Sequence, residues 1–236
     1  MKKNIFLGFI LNLLFAQLLH AQLFGGQIKT PPQNPCPTTV VLEVISPITG
    51  RIWMDRNLGA AQVATSMDDQ LAYGDLYQWG RSCDGHQKRY SGLTVTDGTV
   101  NTNNPGKRFV RRSTISDWRS PKNDDLWQGV DGINNPCPPN FYIPTKEEWA
   151  AENIWTSQQE AYEGFLKLTL AGYRSEKGNL TYVMTDPRWL GRGYYHTSTT
   201  ESDKIRFYNI NTNANIQNIN LSHRVYAYSV RCIKKM

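Results

Sequence analysis

Residues 143–152 read IPTKEEWAAE, and this decapeptide carries the clearest local signal in the chain. Thr145 and Glu148 form a capping box: the hydroxyl takes the N–H of the third helical residue, and the carboxylate takes the N–H of the cap. Each satisfies a donor that the first helical turn leaves unpaired. Trp149 then begins the buried side of the predicted helix. Downstream, Leu166–Leu170 runs into a turn at Ala171-Gly172, and the remainder reads as short strands. Along 209–215 asparagine recurs at every second position, while Ile210, Ala214 and Ile216 point the other way. That is the two-residue period of a strand or hairpin edge with one face of asparagine. The last strand is predicted from Tyr226 to Ile233.

Upstream of the capping box, Val40–Ile45 is rich in β-branched residues and is closed by Ser46-Pro47, which predicts a strand. A second strand follows at Arg51–Met54, and Asp68–Trp79 fits a helix burying Leu71, Leu76 and Trp79. Residues 82–136 are polar and turn-rich, too long for an ordinary connection. Trp118 and Trp127 lie within them, and two tryptophans are hard to leave in water, so this stretch is expected to be an ordered lobe without regular structure. No internal repeat is present. The expected architecture is one α+β domain over 39–236.

The N-terminus has a different character. Lys2 and Lys3 precede an apolar stretch from Ile5 to Leu19, and a small residue, Ala21, offers a cut, so 1–21 reads as an export signal. No cysteine follows the cut to mark a lipoprotein. Residues 22–38 read as an extended tail, Gly-, Pro- and Gln-rich over most of their length. The chain has 236 residues, 39% of them hydrophobic and 19% charged, which excludes a disordered chain and a coiled coil. No later apolar run reaches the length of a membrane span. Without the two signal lysines, 24 basic residues face 20 acidic ones, a charge of +4. The one basic cluster, Lys107, Arg108, Arg111 and Arg112, reads as a solvated surface rather than an anion site, and no nucleic-acid partner is expected. Export places Cys36, Cys83, Cys137 and Cys232 in an oxidising compartment, where four cysteines make two disulfides in one of three pairings.

Several motifs stand in order along the chain: GRIWMDRNLGA at 50–60, YGDLYQWGR at 73–81 with DGHQ at 84–87, DWR at 117–119, LWQG at 126–129 and NNPCP at 134–138. The capping box, LKL at 166–168, AGYR at 171–174, GYY at 193–195 and SVRCIK at 229–234 complete the set. Together they resemble the Fibrobacter succinogenes major paralogous domain family over about residues 40–235. The resemblance implies the C-type lectin-like fold, shared with formylglycine-generating enzymes and the variable proteins of diversity-generating retroelements. It further implies helices packed on small twisted antiparallel sheets, long irregular loops, and N- and C-terminal strands lying side by side. The pairings Cys137–Cys232 and Cys36–Cys83 are likewise implied by it. The chain departs from the pattern at Asn140, Thr169 and His196, the last standing where members often carry a structural tryptophan. A more polar surface is expected around His196.

His86, His196 and His223 lack a nucleophile motif beside them, and only Cys232 lies where the formylglycine-generating enzymes carry a cysteine pair. Asn123, Asp124, Asp125 and Asp131 form the densest oxygen-rich set, read as turn and capping residues rather than a calcium site. No cofactor and no metal are expected. Tyr194, Tyr195 and His196, with Asn209, Asn211, Asn213 and Asn215, combine aromatic faces with planar polar groups, as ligand-binding surfaces do. Arg224 and Tyr226 lie in the same stretch, 194–228, which corresponds to the variable face of the retroelement proteins. The expectation is an exported, non-enzymatic binding or assembly protein of the bacterial cell envelope or surface, of Bacteroidota type, contacting a protein partner through loops. A lectin-like carbohydrate-binding adhesion protein is the alternative, and an enzyme of formylglycine-generating type a third. An exposed apolar patch would favour the protein partner. An aromatic platform ringed by polar side chains would favour sugar.

Overall fold

Thr145 caps α1 (Lys146–Ala151) as its sequence predicts. The Glu148 N–H donates to Thr145 Oγ1 at 3.2 Å, and the Thr145 N–H donates to Glu148 Oε2 at 2.9 Å. A second short helix, α2 (Gln158–Glu163), starts the same way, with Ser157 Oγ accepting from the Glu160 N–H. The computed structural model describes residues 36, 42–95, 97–114, 116–152, 155–183, 191–211 and 218–236, all within the compact unit Asn34–Met236. The expected export signal, the tail and the start of the first strand lie outside the described residues, Cys36 excepted.

The strands of the described residues form three small antiparallel sheets. The first has the order β1-β2-β11-β4, formed by β1 (Glu43–Ile45), β2 (Ile52–Met54), β11 (Ile233–Lys234) and β4 (Phe141–Tyr142). Trp53 pairs with Val44 on one side and Ile233 on the other, so the two ends of the domain meet in one sheet. The second sheet has the order β3-β10-β5-β6, from β3 (Tyr77–Gln78), β10 (Ala227–Tyr228), β5 (Tyr173–Arg174) and β6 (Leu180–Thr181). The third is the meander β7 (Gly193–Glu201), β8 (Lys204–Ile210) and β9 (Asn218–His223), with a register shift between His196 and Thr200. The domain is mixed but sheet-rich.

Two expected elements take another form. Over 68–79 there is no helix: Asp69 caps a single 3-10 turn (Gln70–Ala72), which stops at Gly74. Gly74 has φ +68°, and a Cβ there would lie 2.6 Å from the Leu58 carbonyl oxygen, so the backbone turns where only glycine fits. Leu76 and Trp79 are buried as expected, but Leu71 points into solvent at 61% exposure. The predicted strand 226–233 breaks into β10 and β11, which belong to different sheets. The residues between them bridge elements: Ser229 exchanges hydrogen bonds with Tyr194 and His196, while the Val230 and Cys232 carbonyls accept from Leu58 and Met54.

The described residues of 82–136 form an irregular lobe, with one further 3-10 turn among them (Asp124–Trp127). Trp118 and Trp127 are fully buried beside Trp79, and their indole N–H groups donate to the carbonyls of Trp79 and of Arg81 and Asn134. Without a sheet ladder, the lobe's backbone groups need side-chain partners. Buried Gln78 supplies two, donating to the Val110 carbonyl and accepting from the Val110 N–H, and it also donates to the Val225 carbonyl. Arg81 donates to the carbonyls of Gly106 and Arg108, and Asn134 to those of Gly80 and Asn103. Disulfides Cys36–Cys83 and Cys137–Cys232 close the frame.

Candidate functional site

The pleat of β7 sends its aromatic residues to opposite sides. Tyr195 enters the core beside Trp149, its hydroxyl donating to the Thr169 carbonyl and accepting from the Thr169 N–H, both at 2.8 Å. His196 is also fully buried, edge-on to Trp127 at 5.1 Å, with Nε2 2.7 Å from the Tyr77 carbonyl. The more polar surface expected there does not form, because the imidazole fills core volume. Burial lowers its pKa to about 3, so the ring is neutral. Neither side chain reaches the surface.

Tyr194 takes a different position, at the edge of the core under a group of tyrosines. Its ring lies 4.8 Å from Tyr173 and 6.4 Å from Tyr182, and Tyr173 in turn lies 5.8 Å from Tyr226. Tyr228 and Phe207 pack behind, stacked on Tyr194 at 5.5 and 5.8 Å. Tyr173 and Tyr226 are half-buried and Tyr182 is exposed. The Arg192 guanidinium lies over the Tyr182 ring at 4.3 Å. Burial raises the phenol pKa of Tyr173 and Tyr194, and that of Tyr226 goes up to about 12. At neutral pH these hydroxyls stay protonated, so the face is aromatic and hydroxylated, with the Arg192 cation over Tyr182.

Of the residues named from sequence, Tyr226 belongs to this face, and Tyr194, 7% exposed, lies buried beneath it. Tyr173, Tyr182 and Arg192 were missed. The signal for them lay in Glu176-Lys177-Gly178-Asn179, the turn of the β5–β6 hairpin that pairs Tyr173 with Thr181. Asn209 stands opposite Tyr194 in the β7–β8 register but is 8% exposed. Asn211 is half-buried, and Asn213 and Asn215 lie outside the described residues. Arg224 is a strut rather than a surface group. It is 1% exposed, lies over the Trp79 ring at 4.5 Å, donates to the Asn123 carbonyl and pairs with Asp124.

Two of the oxygen-rich set near Trp127 are used within the fold, and Asp125 and Asp131 are exposed. Asn123 caps its 3-10 turn through the Asp125 N–H, and Asp124 holds Arg224. Among the described residues no group of three or more His, Cys, Asp or Glu is arranged for a metal ion. The basic cluster pins a loop, Arg108 donating to the Leu93 carbonyl and Arg111 to that of Val95. His86 is buried between Asp84, 2.5 Å from Nδ1, and the Gln78 N–H, which donates to Nε2, so neither nitrogen is left for proton transfer to a ligand. No family model, curated protein or solved structure matches the chain.

Proposed function

We propose that this chain is an exported, non-enzymatic binding or assembly protein of the bacterial envelope, of the family its motifs resemble and with a C-type lectin-like fold. It holds a protein partner against the tyrosine face. The observation that carries this reading is the gathering of Tyr173, Tyr182 and Tyr226 with Arg192 at one surface, over the buried ring of Tyr194. Tyrosine offers a large, stiff, amphipathic contact area at low entropic cost, and tyrosine and arginine are enriched at interface hot spots. Two disulfides are at home in an oxidising compartment, and among the described residues no helix is long and apolar enough to cross a membrane.

The test is purification of the tagged protein from its native envelope in mild detergent, with mass spectrometry of what remains bound. A stoichiometric protein partner is expected, with its recovery reduced about tenfold or more by Tyr182→Ala or Tyr226→Ala, as for a hot-spot truncation. Recovery of the protein alone, or a partner indifferent to both substitutions, would overturn the reading.

A further inference from the structure

Within the irregular lobe, the segments around Leu93 and Phe109 lie side by side in parallel. The Thr94 N–H donates to the Phe109 carbonyl and the Phe109 N–H to that of Gly92, both at 2.9 Å. Phe109 and Val110 turn into the core, while Lys107 and Arg108 are exposed and Arg111 and Arg112 half-buried. Two of the guanidiniums are fixed in place: Arg108 Nη1 donates to the Leu93 carbonyl and Arg111 Nη2 to that of Val95, each at 2.8 Å. Exposed Lys177 stands at the β5–β6 turn beside Gly178, which packs against Leu93. Two carboxylates belong to the same region. Asp97 accepts from the Ser113 N–H at 2.8 Å, and the Glu176 carbonyl accepts from the Arg112 N–H. Lys88 is paired with Asp75 and adds no net charge. Five cations thus stand against two carboxylates.

What the sequence reads as a solvated basic surface carries two apolar side chains in the open. Tyr90 is 88% exposed and Val95 79%. Val95 supplies the carbonyl that holds Arg111. Tyr90 precedes by two residues Gly92, where a Cβ would lie 3.6 Å from Arg108 Nη1. Two residues span at most about 7 Å, so the phenol starts close to that guanidinium. A soluble phosphate or a nucleic-acid backbone would engage the cations and leave Tyr90 and Val95 in water. The surface of a negatively charged bilayer meets both needs, with anionic headgroups for the cations and an acyl boundary for the apolar side chains. Tyrosine is also enriched at that level of the membrane. We propose that this ribbon docks the protein peripherally on an anionic lipid surface. Arg108 and Arg111 donate to headgroup phosphates, and Tyr90 and Val95 enter the interface. The surface is separate from the tyrosine face and stands whether or not a protein docks there.

The experiment is cosedimentation of the mature chain, residues 22–236, with lipid vesicles, so that the apolar stretch 5–19 cannot supply the binding. Vesicles of phosphatidylcholine with about one-third phosphatidylglycerol are compared with phosphatidylcholine alone at about 0.1 M salt. Binding is expected on the anionic vesicles, about tenfold or more weaker on the neutral ones, and lost at about 1 M salt, where surface charges are screened. Lys107→Glu and Lys177→Glu reverse exposed charges outside the pinned guanidiniums, so both variants fold, and each weakens binding about tenfold. Tyr90→Ser, at an equally open position, weakens it about threefold through lost apolar contact. Tyr182→Ala leaves it unchanged. The proposal is overturned if the protein stays in solution with anionic vesicles or sediments equally with neutral ones. It is equally overturned if both charge reversals bind as the parent does, or if soluble polyphosphate is bound more tightly than the vesicles.

Discussion

An imidazole deprived of water holds its proton only at a cost, and two are buried among the described residues. His86 and His196 both have their pKa lowered from 6.5 to about 3, chiefly by desolvation. The unfolded chain therefore takes up protons near pH 6.5 that the folded chain refuses until about pH 3. The associated stability is complete above pH 6.5 and is lost as pH falls, by up to about 1.4 kcal/mol per pH unit for each histidine. Urea denaturation at pH 7, 6 and 5 should show the midpoint dropping at each step, with a shallower drop in His196→Gln; a flat profile would contradict the burial of these rings. Histidines of this kind were not legible as core residues, because nothing in sequence distinguishes a filled cavity from a surface. Arg231 makes the same point. It is buried, donating to Asn57 Oδ1 and to the Met54 and Leu166 carbonyls, and desolvation lowers its pKa to about 10.

Local chemistry decides some elements and not others. The capping box was legible because its partners lie three residues apart and its energetics close within one turn. The stretch 68–79 had a helical spacing of apolar residues, yet Gly74 and the docking of β3 against β10 overrode it. The β5–β6 hairpin, which carries Tyr173 toward Tyr182, depends on Gly172 at φ +66°, where a Cβ would lie 2.4 Å from the Thr181 carbonyl oxygen. Gly172→Ala should lower stability by about 1–3 kcal/mol, the range for a strained backbone position. It should also displace both tyrosines, whereas Tyr182→Ala at the exposed end should cost less than about 1 kcal/mol. Thermal melts of the two variants, with near-ultraviolet circular dichroism of the tyrosine signal, separate these outcomes. Equal effects would mean that the hairpin does not position the face.

At the level of the whole molecule, the disulfides tie together what the sheets only touch. Cys137–Cys232 spans 95 residues and links the approach to β4 with the last strand, and Cys36–Cys83 spans 47. Replacing Cys137 and Cys232 together by serine should cost about 2–5 kcal/mol, read as a lowered melting temperature that reducing agent reproduces in the parent; an unchanged melt would show the core holding alone. The sequence by itself determined the mixed composition of the domain, the start of α1, the burial of Trp79, Trp118 and Trp127, and the presence of two bridges. These follow from short-range hydrogen bonding, hydrophobicity and cysteine count, which need no knowledge of the path of the chain. Only the tertiary structure decided that Tyr195, His196 and Arg224 serve the interior while Tyr173 and Tyr182 reach the surface. Which side of a strand faces water depends on the elements packed against it, and here those come from opposite ends of the chain.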